Sequence, residues 1–298
     1  MRLIVNPTSQ AGRSRDRRTF WLRELQRRQI LFAVSDCLYA GHAIALARDA
    51  AEPVVVAVGG DGTINEVLDG VLQSPIPKTL GVLYAGTSPD FCRFHHIPVS
   101  DPASALDVLL QAHAQTIDAV RITRADKPTA HFVCGCNVGL GARVAAFANA
   151  HRRHLGDVPG TALGLLLAVW GQQRFTAHLE LDGTPFTFQD VNHILILKNP
   201  HIASGLKLNL PLAPDDGHLT VLVLHGLSRV GLLRLIPAFY SGHAVDNPAI
   251  FKRNCRSLTL STDPRQAVEF DGDPHGESPL RIELLPRAVA LICEANHA

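Results

Sequence analysis

The 298-residue sequence lacks an excess of either charge: 28 Lys and Arg face 27 Asp and Glu. No whole-molecule field draws it to nucleic acid or to an anionic membrane, so any such attraction has to be local. It lacks a long hydrophobic run. The N-terminus, "MRLIVNPTSQ", is too short in apolar residues for a signal peptide, and the longest near-apolar stretch, "GTALGLLLAVWG", falls well below the ~20 residues that span a bilayer. No transmembrane segment is expected, and the cytoplasm is the default location. It lacks a cysteine pattern. Six cysteines are scattered, and the only close pair, Cys134 and Cys136, has neither zinc-site nor redox spacing, which reads as reduced core thiols. The P-loop pattern GxxxxGK[ST] is absent, no GxGxxG follows the first strand, and there is no repeat, low-complexity tract or long linker.

What is present is enough apolar material, 46% of residues, for one large domain or two ordinary ones. The pattern changes near residue 118. Before it, strand-like runs ("RLIVN", "ILFAVS", "PVVVAV", "TLGVLYA") alternate with helix-like ones ("TFWLRELQRRQ", "AGHAIALARDAA", "INEVLDGVL"), the rhythm of βαβ units and a parallel sheet. After it come "TAHLELDGT", "VNHILILKN", "GHLTVLVLH", "RSLTLST", "QAVEFDGD", "LRIELLP" and "AVALICE", with helical insertions expected at 142–151, 161–170 and 227–239. The expected fold is α/β plus all-β: a doubly wound parallel-sheet domain over 1–118 and an antiparallel β-sandwich domain over 119–298, sharing a nucleotide cleft.

In doubly wound sheets ligands sit where strands feed helices, and three such loops are rich in small polar residues: "NPTSQAGRS", "GGDGT" and "AGTSPDF". The second lies in "VAVGGDGTINEVLDGV", residues 56–71. Gly59, Gly60 and Gly62 allow positive φ and close backbone approach at a helix N-terminus, which can cradle phosphate. A plain tight turn with Asp61 or Thr63 capping the helix is the alternative. The acid favours the cradle: a carboxylate beside a phosphate repels it unless a cation lies between, so Asp61 points to a metal-nucleotide complex.

"GGDGTINEVLDGV" resembles the diacylglycerol kinase catalytic domain family of lipid kinases, which includes bacterial diacylglycerol kinases, sphingosine kinases and ceramide kinases. "IVNPTSQAG" resembles the family's NPxSG loop, "GTSPDFCRF" its GTxNDFAR segment, and "FVCGCNVGLGARV" the segment opening its second domain. "PLAPDDGHLTVLVL" resembles PxAxxDDGxLDV, and "EFDGDPHG" the DGE motif. NAD kinases share the GGDGT turn, but only in lipid kinases do an Asn and a Glu follow at once, as Asn65 and Glu66 do here. The resemblance implies an NAD kinase/diacylglycerol kinase-like first domain. It also implies ATP held by Asn6, Pro7, Thr8, Ser9, Gly59, Gly60, Asp61, Gly62, Thr63 and Thr87. Asp216 would ligate Mg2+ in a structural site with main-chain oxygens of Ala213 and His218. Asp273 would be the proton acceptor, with Asp271 or Glu277 as substitutes, and Asp61 would fix the metal-nucleotide geometry. A lipid substrate would be met in transient, peripheral contact with the inner membrane surface, and a homodimer is allowed for. No nucleic-acid partner is implied.

Four positions depart from the pattern: Gln10 for glycine, Cys37 for a nucleotide-contacting threonine, Pro89 for the asparagine of GTxND, and Asp273 for glutamate. Proline removes a backbone donor, and aspartate is one methylene shorter. A nucleotide-binding relative without turnover is therefore the second reading, and an NAD-kinase-like activity the third. "TALGLLLAVW" reads as a buried helix or the wall of an acyl pocket. "HRRH" at 151–154 and Arg13, Arg15, Arg17 and Arg18 read as a solvated face or a local basic patch. "DGDPHG" imitates half of a calcium loop, but its twelfth position is Ile282, which rules that ion out.

Overall fold

A computed structural model describes residues 1–7, 13–144, 163–164, 167–202, 206–271 and 273–295, without the side chains of residues 13, 14, 273 and 274. In chain order the elements are β1 (Arg2–Val5), α1 (Arg13–Arg27), β2 (Ala33–Asp36), α2 (His42–Arg48), β3 (Val54–Gly59), α3 (Asp61–Gln73), β4 (Thr79–Tyr84), α4 (Asp90–Phe94), α5 (Pro102–Gln111) and β5 (Ala114–Arg124). There follow β6 (Lys127–Phe132), β7 (Gly135–Gly139), β8 (Phe175–Leu181), β9 (Thr184–Leu197), β10 (His201–Ile202), β11 (Leu206–Lys207), β12 (Leu219–His225), α6 (Arg229–Tyr240), β13 (Ile250–Cys255), β14 (Ser257–Asp263), β15 (Ala267–Phe270), β16 (Asp273–Glu277) and β17 (Leu280–Ile292). The chain forms two compact units: 1–119 with 285–298, and 120–202 with 206–284. By contacts, then, the end of β17 groups with the first unit.

The first unit is built on parallel strands in the order β2, β1, β3, β4, closed by the end of β17, where Ala290 pairs with Thr79. Val55, Val56, Ala57 and Val58 are all buried, because helices cover both faces of a doubly wound sheet and leave no solvent side. One face carries Leu3, Val5, Val56 and Val58 against Trp21 and Leu25 of α1 and Leu106 and Leu109 of α5. Burying one such side chain is worth roughly 1.5–3 kcal/mol. α2 and α3 pack together, with α3 against β3. The chain leaves β1 for β2 on one side and returns for β3 on the other, so the order reverses between β1 and β3.

The second unit is antiparallel. β8 alternates buried and outward residues, whereas "ILIL" of β9 and "LTVLVL" of β12 are buried throughout. The reason is that both faces are covered. Ile194, Ile196, Val221 and Val223 enter one core, while Leu195, Leu197, Leu222 and Leu224 enter another that includes Leu232 and Leu235 of α6. α6 meets the expected helix at 227–239, and Ser228 caps it by accepting from Gly231 N. The expected insertions at 142–151 and 161–170 fall largely outside the described residues, as does "HRRH". Within the second, Gly164, Ala168 and Val169 are buried, while Leu163, Leu167 and Trp170 are exposed and Arg229 lies 5.7 Å over the Trp170 ring. All six cysteines are free, four of them buried.

His193 of β9 is enclosed, with Nδ1 3.0 Å from the Val138 carbonyl oxygen. Burial pushes its pKa down to about 4, against the opposing effect of that hydrogen bond. The unfolded imidazole titrates near 6.5, so below that pH the unfolded chain takes up a proton the native chain refuses. Stability should therefore fall as pH drops from about 6.5 to about 4, by up to roughly 3 kcal/mol from this residue. Denaturant melts across that window check it: His193→Gln should flatten the slope, and an unchanged slope would assign the acid sensitivity to other groups.

Candidate functional site

The reversal between β1 and β3 opens a crevice at the carboxyl ends of the strands, the position where doubly wound sheets bind ligands. Three loops meet there. Asn6, directly after β1, donates from its backbone N to Val58 O at 3.1 Å and from Nδ2 to Thr63 Oγ1 at 3.1 Å. Ala85, after β4, donates to Gly59 O at 2.8 Å. Gly60 and Gly86 then pack backbone to backbone: a Cβ on Gly86 would stand 2.4 Å from Gly60 Cα and 2.6 Å from Tyr84 Oη. Glycine is needed here for that close approach. Of the two freedoms that Gly59, Gly60 and Gly62 allow, the close approach is used and the positive φ is not: Gly60 has φ −90.

The capping alternative also fails. Gly60 is the N-cap of α3, with no side-chain cap bond; Asp61 lies in the first turn, and Thr63 accepts from Asn6 instead. One Asp61 oxygen is buried. The Tyr84 hydroxyl and the Cys92 thiol are pushed upward first by their own burial and second by the Asp61 charge. A negative charge at this helix end is favourable by roughly 0.3–1 kcal/mol when exposed. Thr87 is exposed, one residue beyond the Gly60–Gly86 contact. Of the expected nucleotide residues, the structure brings together Asn6, Pro7, Gly59, Gly60, Asp61, Gly62, Thr63 and Thr87; Thr8 and Ser9 lie outside the described residues.

Between these loops and α1 is a pocket of about 50 Å³ lined by Val5, Asn6, Pro7, Arg15, Arg18, Val58 and Ala85. Arg18 also pairs with Asp36 at 3.0 Å. Arg17 donates to Tyr84 O at 3.0 Å and Val99 O at 2.8 Å, so it braces α1 against the end of β4. Within the arginine cluster, Arg17 is thus a brace and Arg15 and Arg18 are pocket cations, a division that the sequence spacing does not show; the side chain of Arg13 lies outside the described set. Glu66 accepts from Gly41 N at 2.8 Å and Ala43 N at 3.3 Å, fastening the start of α2 to α3. Cys37 is half-buried; burial first, then Glu66 and Asp36, push its thiol up to about 11, so it stays protonated at neutral pH. Pro89 is the N-cap of α4, where a missing backbone donor matters least, and the following Asp90 is buried with Arg93 at 3.1 Å.

In the second unit the "FDGDPHGE" stretch closes β15 at Phe270 and continues as β16 from Asp273. Asp271 Oδ2 accepts from Val133 N, and Oδ1 from Cys134 N and Gly135 N, each at 3.0 Å. The first acid of the motif is therefore an anchor of the turn. Asp273 opens β16; its side chain is outside the described set. Arg124 donates to His275 O and lies 5.5 Å over the Phe270 ring, so it holds the hairpin that carries Asp273. Glu269, buried, accepts from Asn137 Nδ2. Sequence reasoning missed Arg124 and Glu269; Glu269 offered the signal of a charged residue inside an otherwise apolar strand, whereas the mixed sequence of β5 offered none for Arg124.

The expected metal ligands do converge, but around a lysine. Lys198 Nζ lies 2.9 Å from Ala213 O, 2.5 Å from Asp216 Oδ1 and 3.5 Å from His218 O. A Mg2+ ion needs oxygens at 2.0–2.1 Å in an octahedron. About 3 Å from an ammonium it would meet repulsion on the order of 10 kcal/mol at an effective dielectric near 20. The residues present do not fit a structural magnesium. Among the described residues no group of three or more His, Cys, Asp or Glu side chains is placed to hold a metal.

Comparison with known proteins accounts for both halves. The diacylglycerol kinase catalytic domain model matches residues 1–122, and that of the YegS C-terminal NAD kinase beta sandwich-like domain matches residues 135–293. The diacylglycerol kinase of Staphylococcus haemolyticus (strain JCSC1435) is 25% identical over 249 residues, 82% of this chain and 72% of that one. That of Staphylococcus carnosus (strain TM300) is 24% identical over 229 residues, 76% of this chain and 72% of that one. A crystal structure of a diacylglycerol kinase from Bacillus anthracis str. Sterne superimposes with a TM-score of 0.81 at 20% identity, covering 100% of this chain and 98% of that one; at such identity the likeness speaks for the fold. With a glycine turn at the switch point of its first unit, an antiparallel second unit and family matches over both, the chain belongs to the diacylglycerol kinase catalytic domain family.

Proposed function

We propose that the protein is an ATP-dependent lipid kinase that transfers the γ-phosphate to a hydroxyl of diacylglycerol, phosphatidylglycerol or a related lipid. The observation that carries this reading is the junction of three loops at the β1/β3 crevice, sealed by the Gly60–Gly86 approach, in a chain of this family. Backbone amides at the start of α3 and the Arg15 and Arg18 side chains would meet phosphate oxygens. Asp61 would orient the magnesium that arrives with the nucleotide. Phosphoryl transfer is mostly positioning and charge neutralisation, and an alcohol acceptor needs a base within reach of its proton. Asp273 takes that role, with Arg124 holding its hairpin.

Incubating the purified protein with labelled ATP and magnesium against a lipid panel tests the reading. Labelled lipid is the expected product. ATP binding with no labelled lipid would leave a nucleotide-binding relative without turnover, and labelled NADP from added NAD would make it a dinucleotide kinase. Asp61→Asn should weaken use of the magnesium-ATP complex by about 10–100-fold, the loss of one charge-assisted contact. Titrating ATP in the transfer assay reads it, and an unchanged dependence on ATP and magnesium would remove Asp61 from the site.

A further inference from the structure

The turn before β12 is organised around one carboxylate. Asp216 Oδ2 accepts from Ala213 N at 2.8 Å, and Oδ1 from His218 N at 3.2 Å. The carbonyls of Ala213 and His218 and the remaining face of Oδ1 then point at a common centre. Three acceptors and one negative charge ask for a cation. Lys198 supplies it from just past the end of the neighbouring strand. β9 ends at Leu197, which pairs with Thr220 of β12, so the residue that follows β9 lies beside the turn that leads into β12. Lys198 is 1% exposed. An ammonium has three N–H donors and no acceptor, so one donor falls to each of the three oxygens. Unpaired, a charge so enclosed would be strongly destabilising.

We propose that the Lys198 ammonium is the resident cation of the 213–218 turn, doing with a side chain what a bound divalent metal would otherwise do there, so that the fold of this protein needs no structural metal. The step goes beyond the kinase reading and stands apart from it, because magnesium that enters with a nucleotide plays no part in the turn. A kinase of this kind keeps its architecture in a metal-depleted medium and loses only its phosphoryl donor.

The test is thermal melting of the full chain without nucleotide, first in EDTA and then in excess MgCl2 or MnCl2. The expected result is one melting temperature under all three conditions; a drop of several degrees in EDTA, reversed by the metal, would overturn the proposal. Lys198→Met and Asp216→Asn should each lower the midpoint by about 5–10 °C, since either leaves a buried partner uncompensated. The double variant should melt no lower than the worse single one. Additive losses would show that the two side chains do not act as a pair. Should Lys198→Met fail to accumulate as folded protein, the chelator comparison on the unaltered chain decides by itself.

Discussion

Replacing Asp273 with alanine is expected to leave ATP binding near its original strength and to cut phosphate transfer to lipid by roughly 10²–10⁴-fold, the range a positioned general base contributes. A base acts only in the chemical step, so kcat and kcat/KM should fall together while the ATP dissociation constant holds. The neighbouring carboxylate cannot easily take over, because both Asp271 oxygens are engaged by the amides of Val133, Cys134 and Gly135. Transfer within about tenfold of the original in Asp273→Ala would place the base elsewhere. Asp273→Glu restores the residue common in the family and sharpens the point. If the hairpin held by Arg124 suits the shorter acid, the extra methylene misplaces the carboxylate by about 1 Å and activity falls by up to ~100-fold. A gain in activity would instead make Asp273 a degenerate remnant.

Gly86→Ala should be nearly as damaging, for a steric reason. The new methyl would stand 2.4 Å from Gly60 Cα, and backbone cannot give way as a flexible side chain can. The loop after β4 must move off the glycine turn, at a stability cost of about 1–3 kcal/mol for the overpacked site. A displacement on the order of 1 Å at the phosphate-binding end costs about 100-fold in transfer. Melting and transfer assays on the same preparation separate the two effects. The loss of transfer should far exceed what unfolding explains, and activity within about threefold of the original would mean that the Gly60–Gly86 approach does not shape the site.

Much of the architecture was legible because it rests on local pattern. β-branched runs alternating with amphipathic ones imply crossover helices and hence a parallel sheet, and the glycine-rich loops marked the ends of β1, β3 and β4 without any knowledge of strand order. The second unit was legible as strands, but the two cores enclosing β9 and β12 were not. An unbroken apolar run says that both faces are covered and leaves open what covers them. The scattered cysteines are free thiols, as their spacing implies, but only four lie in the core; Cys37 and Cys134 are half-buried.

The residue types at the candidate site were set by the sequence alone: the Gly-Gly-Asp-Gly-Thr turn, the acids of the "DGD" stretch, and the Ala213, Asp216 and His218 cluster each lie within a few residues of chain. Tertiary structure alone decided what those residues meet. The partner of Gly60 is Gly86, 26 positions on. Of the arginines of α1, Arg17 braces Tyr84 while Arg15 and Arg18 line the pocket. The cation at Asp216 is Lys198, the residue that follows β9, 18 positions earlier. The physical reason is common to all three. Close approach and charge pairing depend on distance in space, and strand pairing brings together segments whose spacing along the chain carries no trace of it. A lysine at the end of an apolar strand reads as a solvated residue until the register of β9 against β12 puts its ammonium among three oxygens.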